Sequence, residues 1–168
     1  MNDKLSSRIN SLPVSATLAM AAKARELKQQ GKDIISLSLG EPDFNTPDFI
    51  KDAAIQAVND NYNSYSPVDG YLDLKQAICT KFKRDNNLDY QPNQVVVSTG
   101  AKQSIANIAL VLLNPGDEVL LPAPYWVSYS AIATLAEATY KEIPSSIETD
   151  FKITPEQLEA AITPKTKL

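Results

Sequence analysis

From residue 95 onward the chain alternates short apolar runs with helical periods, and this alternation restricts the fold more than any other feature. Val95, Val96 and Val97 open a run over 95–99, Gly100 breaks it, and 101–113 carries apolar residues at helical spacing. Pro115, Gly116 and Asp117 form a tight turn before a second apolar run at 118–121. After a loop at 122–125 the pattern predicts a helix over 127–135 and a third strand over 139–143. Strand, helix, strand, helix, strand in that order predicts an α/β fold. Its parallel sheet would have right-handed crossovers and helices covering its faces.

The N-terminal part reads differently. Ser15 or Thr17 can cap a helix that ends at Gly31, the residue best suited to a left-handed C-terminal position. An apolar run at 34–39 predicts a short buried strand, followed by a turn-rich loop over 40–47. Thr46 before Pro47 predicts a helix start, with a hydroxyl cap and a proline at the first helical position. Phe49, Ile50, Ala53, Ala54, Ala57 and Val58 give that helix one apolar face. A polar loop over 59–70 leads to another helix, marked by Leu72, Leu74, Ala77, Ile78 and Phe82. Near the end, Thr154, Pro155 and Gln157 spell a capping box. Thr166, Lys167 and Leu168 read as the entry to a further strand, so the chain is expected to be part of something longer.

Composition removes whole classes of chemistry. With no histidine, imidazole bases, Ser–His and Cys–His nucleophile pairs and His-containing metal sites are excluded, and no metal site is expected. The single cysteine, Cys79, cannot form an internal disulfide. Sixteen basic against twenty acidic residues give a net charge of −4, which argues against nucleic-acid binding. No apolar run approaches the ~18–20 residues of a membrane span. Pro13, Ser15 and Thr17 interrupt the Ala-rich stretch after Arg8, unlike a signal peptide, so a cytoplasmic location is expected.

Four places carry candidate chemistry. At Gly100, Ala101 and Lys102 a predicted strand turns into a helix whose first N–H groups lack internal partners. That end carries the positive pole of the helix dipole and a lysine, so it is an anion cradle or else an ordinary strand–helix turn. It is neither a Walker loop nor a dinucleotide fingerprint. Trp126 lies after the next strand, on the side where open α/β sheets bind ligands. It is either a stacking platform for a flat heterocycle or a core aromatic. The loops around Gly40 and Tyr65 read individually as surface turns.

Their order is more informative. S-x-G-x-P-D-F-x-T-P from Ser38, Y-x-x-x-x-G from Tyr65, T-G-A-K-Q from Thr99, P-G-D-E-V from Pro115 and P-Y-W-x-S-Y from Pro124 follow one another. This series resembles the class I aminotransferases, fold type I of the pyridoxal-phosphate enzymes, and is most similar to the bacterial aspartate aminotransferases of branch Iβ. The resemblance covers nearly all of 6–168. It implies a three-layer αβα large domain, with 1–46 as N-terminal arm and substrate loop and 47–168 as an incomplete cofactor-binding domain.

The resemblance also implies roles. Gly40 would meet the substrate α-carboxylate through its backbone. Gly100, Ala101 and Lys102 would hold the phosphate of pyridoxal 5'-phosphate, and Trp126 would stack on its ring and border the substrate. Tyr65 would reach the phosphate of the neighbouring subunit in a homodimer. Ser15, Thr17 and Lys102 would gather around the distal carboxylate of aspartate or glutamate. The implied reaction moves an amino group between L-aspartate and 2-oxoglutarate, with another amino acid or prephenate as alternative substrates. No lysine here stands in the family's Ser-x-x-Lys context, so the Schiff-base lysine is expected beyond Leu168, no catalytic residue is assigned within the chain, and a non-catalytic fragment stays open.

Overall fold

The computed structural model describes residues 4–168 and divides into two compact units, one formed by residues 4–23 with Thr99–Leu168, the other by Ala24–Ser98. Its helices and strands are α1 (Ser7–Asn10), α2 (Ala16–Gln29), α3 (Asp48–Asn59), α4 (Leu72–Asn86), α5 (Ala101–Leu112), β1 (Glu118–Ala123), α6 (Ser128–Leu135), β2 (Thr139–Pro144) and α7 (Pro155–Ala161). Short 3-10 turns lie at Pro92–Gln94 and Ile147–Thr149.

In the first unit β1 and β2 pair in parallel, with Glu118 opposite Thr139 and Ala123 opposite Pro144. Successive backbone groups of a strand point to opposite edges, and β1 uses both. The Thr139 amide donates to the Asp117 carbonyl on one side. On the other side the Glu118 amide donates to Lys165, the Lys167 amide to Glu118 and the Leu120 amide to Leu168. The strand entry predicted at 166–168 is therefore present as a parallel bridge onto β1. Glu118 fastens it further, accepting from the Thr163 and Thr166 hydroxyls at 2.9 and 2.8 Å.

Val119 and Leu121 share one face of β1 and pack with Ala109, Leu113, Ala133, Ala136 and Ala138 to form the core. Alanine at α5 and α6 lets both helices lie close to the strand, at the cost of little apolar area per residue. Truncating a buried leucine such as Leu121 in so small a core would cost about 2–5 kcal/mol. The Thr154 capping box forms as expected: the Gln157 amide donates to Thr154 Oγ1 at 3.2 Å, and the Thr154 amide to Gln157 Oε1 at 2.8 Å.

In the second unit α2 ends as predicted at Gly31, whose φ of +80° suits glycine. The Gly31 amide bonds to Lys28 and the Lys32 amide to Leu27, which satisfies the last carbonyls. The loop before α4 is anchored by a buried lysine: Lys75 pairs with Asp69, and the Asp69 carbonyl accepts from the Val97 amide at 3.1 Å. Gly70 is required beside it, with φ +98° and a Cβ position only 2.7 Å from Val97 Cγ2. Phe82 and Tyr90 meet edge to face, with ring centroids 6.0 Å apart.

Three local expectations are corrected. The strands predicted at 34–39 and 95–99 do not form. Both runs are apolar and extended, but a strand exists only with a neighbour to complete its ladder, and none pairs with them among the described residues. Ile35 and Leu37 accordingly stand 87% and 92% exposed. Helix α3 begins one residue later than predicted: Pro47 is the cap, its carbonyl accepting the first helical amides, and no side chain caps that end.

Candidate functional site

The first unit holds the most developed constellation. Gly100 enters α5 with φ +89° and ψ 157°, a conformation that side chains disfavour, and open space surrounds the position a Cβ would take. Its carbonyl accepts from the Gln103 and Ser104 amides, and the Gln103 side chain folds back to accept from the Thr99 amide. The amides of Gly100, Ala101 and Lys102 have no acceptor among the described residues. Three donors, a helix N-terminus and an exposed lysine thus share one turn, which suits a dianionic phosphate.

Trp126 lies at the end of the loop between β1 and α6, and its carbonyl accepts from the Tyr129 amide at 2.9 Å to start that helix. The Lys102 ammonium sits 5.7 Å from the centre of its ring, a cation–π contact. The indole is 43% exposed, so it is not the core aromatic that a lone tryptophan usually is. Its ring remains open to stacking with a flat group.

Beside this loop runs a groove of about 380 Å³ lined by residues that include Pro13, Ser15, Tyr125, Ser128, Ser130 and Ala131. Ser15 caps α2, accepting from the Leu18 amide at 3.4 Å, and its own hydroxyl proton is left to donate. Thr17 follows in the first turn of α2, half-buried and outside the groove lining. A second cavity of about 190 Å³, between α5, β1 and α6, is lined by aliphatic side chains and Tyr129 and offers no charged group.

Gly40 and Tyr65 belong to the second unit. Gly40 has neither a left-handed φ nor any atom close to where a Cβ would stand, so nothing local requires glycine there. Tyr65 is fully exposed, and its hydroxyl has no partner among the described residues. Among the same residues no group of three His, Cys, Asp or Glu side chains is placed to hold a metal, and no helix is long and apolar enough to cross a membrane.

Two pairs escaped sequence reasoning. Tyr125 donates its phenol proton to Glu142 Oε1 on β2 at 2.5 Å. That carboxylate, followed by burial, pushes the phenol pKa above its usual value, and the Ser130 hydroxyl opposes them. The second pair is Asp69 with Lys75, which holds the Asp69 carboxyl below the usual carboxylate range. A tyrosine next to the only tryptophan was the one visible signal. Neither Glu142 nor Lys75 carries a local one.

The fold is α/β, with three unpaired amides at a helix start and an indole next to them, and comparison with known proteins gives the family. Residues 32–168 match the family model for aminotransferase class I and II. The chain belongs to that family. It is 52% identical over 98% of its length to the aspartate/prephenate aminotransferase of Nitrosomonas europaea, and 50% identical over 99% to the aspartate aminotransferase of Bacillus sp. strain YM-2. It spans 42% and 43% of those proteins. Among solved structures, the Thermus thermophilus aspartate aminotransferase with maleate superposes on 97% of this chain with a TM-score of 0.92 and 41% identity, the match covering 43% of that protein. The Rhizobium meliloti aspartate aminotransferase gives 0.91 over 96%, at 44% identity and 40% of its own length.

Proposed function

We propose that this chain is the N-terminal segment of a cytoplasmic, homodimeric aminotransferase that uses pyridoxal 5'-phosphate to move an amino group between L-aspartate and 2-oxoglutarate. The observation that carries the reading is the Lys102 ammonium over the Trp126 ring, beside the free amides of Gly100, Ala101 and Lys102. Phosphate donors and an aromatic face are what a phosphorylated pyridine needs, so the residues present fit that cofactor. When bound, the cofactor supplies an electron sink that weakens the bonds around an amino acid's Cα.

The chain's own residues bind and orient. Gly100, Ala101 and Lys102 hold the phosphate through backbone N–H groups, with no Cβ at Gly100 to obstruct it. Trp126 fixes the plane of the ring and keeps water from that side. Because the amides suffice for the phosphate, the Lys102 ammonium is free to pair with the substrate's distal carboxylate, with Ser15 and Thr17 adding hydroxyl donors. Gly40 lets a backbone approach the α-carboxylate closely, which explains a glycine that its own surroundings do not require. The exposed Tyr65 hydroxyl serves the phosphate of a partner subunit. Residues 1–46 act as arm and substrate loop, and 47–168 as the start of the cofactor-binding domain.

Prephenate as amino acceptor is a second reading, favoured by the name of the Nitrosomonas europaea relative. For the cofactor itself, the test is an absorbance titration of the full-length protein with pyridoxal phosphate, repeated with Trp126→Ala. Saturable binding, with dissociation about tenfold faster in the variant, is expected for loss of a good aromatic contact of roughly 1–1.5 kcal/mol. Absence of binding to the unaltered protein would overturn the reading, and unchanged retention in the variant would remove Trp126 from the site.

A further inference from the structure

The indole of Trp126 is held in place by few contacts of its own. It is 43% exposed, it is not among the side chains packed on the core, and its described ring contact is the flexible side chain of Lys102. A stacking platform needs a fixed plane, because a ring free to rotate loses the contact and the ordering entropy together. The residue before it has what Trp126 lacks. Tyr125 packs against the core cluster, and its phenol donates to Glu142 at 2.5 Å across 17 positions of sequence. The same stretch is tied once more where Ser145 Oγ, just past β2, donates to the Ala123 carbonyl. The loop is therefore clamped to the end of β2 through Tyr125 and Ala123, while Trp126 is left to open α6.

We infer that Tyr125 and Glu142 form a positioning pair that fixes the plane of Trp126 for the flat ring it stacks on. The inference rests on the aminotransferase reading for the identity of that ring, and not for the geometry of the pair. Glu142 acts as an acceptor, so a neutral amide oxygen at the same place serves as well, whereas an apolar side chain does not. Neither residue touches the cofactor or the substrate in this account. Their effect passes through the backbone from Tyr125 to Trp126.

The test is made in the full-length protein labelled with 5-fluorotryptophan, the Trp126 resonance being identified by its loss in Trp126→Phe. Tyr125→Phe and Glu142→Leu should each broaden that 19F resonance and move it toward the position of the free amino acid, before any cofactor is added. Glu142→Gln should leave it where it is, and so should Tyr140→Phe, which removes a hydroxyl from the same strand. With pyridoxal phosphate, the first two variants should release it about tenfold faster, and the double variant no faster than either alone, as one shared contact requires. An unmoved Trp126 resonance in Tyr125→Phe, or additive effects in the double variant, would overturn the pair. Loss of cofactor binding in the unaltered protein would instead sink the aminotransferase reading, leaving the fluorine result to judge the pair by itself.

Discussion

The Lys102 ammonium lies 5.7 Å from the centre of the Trp126 ring, joining the first turn of α5 to the loop that follows β1. An exposed cation–π contact contributes only about 0.5–1 kcal/mol, so it does not commit the lysine to that place. A carboxylate offered nearby forms a stronger, charge-assisted bond. The contact thus places the ammonium beside the unpaired amides of Gly100, Ala101 and Lys102, where the proposed reading has it pair with a substrate carboxylate.

Lys102→Ala in the full-length enzyme should therefore lower kcat/KM for aspartate more than for alanine. The expected gap is about 2 kcal/mol, roughly 30-fold, the scale of a hydrogen bond to a charged group. Steady-state kinetics with both donors decide it. Equal losses, accompanied by leakage of pyridoxal phosphate, would assign the lysine to the cofactor.

The two glycines with positive φ in the candidate loops separate function from stability. Gly70→Ala meets a left-handed φ and a Cβ 2.7 Å from Val97, and should lower the unfolding free energy by more than Gly100→Ala, which meets the φ strain alone. Strain of this kind costs about 1–3 kcal/mol. On the proposed reading, Gly100→Ala should instead show itself in weaker cofactor binding, because its methyl group would enter open space beside the amides proposed to hold the phosphate. Urea denaturation and cofactor titration on both variants check the contrast, and equal destabilisation would contradict it.

Acid should loosen the loop that carries Tyr65. Lys75 holds the Asp69 carboxyl below its usual range, so the pair's contribution is complete above the unfolded carboxylate pKa and is lost as pH falls through the lower folded value. Lys75→Met should be less stable near neutrality, and its stability should fall less steeply between neutral and acid pH than that of the unaltered chain. Denaturant midpoints across that range measure the difference, which cancels the other carboxylates. Parallel curves would mean that the pair has no role in acid sensitivity.

The 168-residue chain by itself should self-associate. Val14, Leu37, Val68 and Val111 are among many large apolar side chains left exposed, and two extended apolar runs have no strand partner among the described residues. Light scattering on the isolated chain should give a mass well above 18.4 kDa. A monodisperse monomer with a sharp thermal transition would contradict this.

What the sequence disclosed was mostly what neighbouring residues decide among themselves. Thr154 and Gln157 cap one helix within four positions, and Gly31 ends another through its own φ, so both were visible in the string. The parallel pairing of β1 with β2 was visible too, because two apolar runs flanked a helix of the right length. The runs at 34–39 and 95–99 have equally good strand composition, yet a ladder depends on a partner, and composition does not report one. At the candidate site, Gly100, Lys102 and Trp126 could be singled out as a turn, a charge and an indole. Their proximity, the burial of Lys75 and the reach of Tyr125 to Glu142 depend on packing between distant segments. No local spacing encodes them.

The most direct measurement follows the amino group itself. Full-length protein loaded with pyridoxal phosphate is given 15N-labelled aspartate and 2-oxoglutarate, and the products are read by NMR and mass spectrometry. The account predicts 15N-labelled glutamate and oxaloacetate in equal amounts, with the initial rate of their formation falling sharply in Lys102→Ala. No transfer of the label to 2-oxoglutarate, or to prephenate supplied in its place, by a protein shown to be folded and loaded, would contradict it.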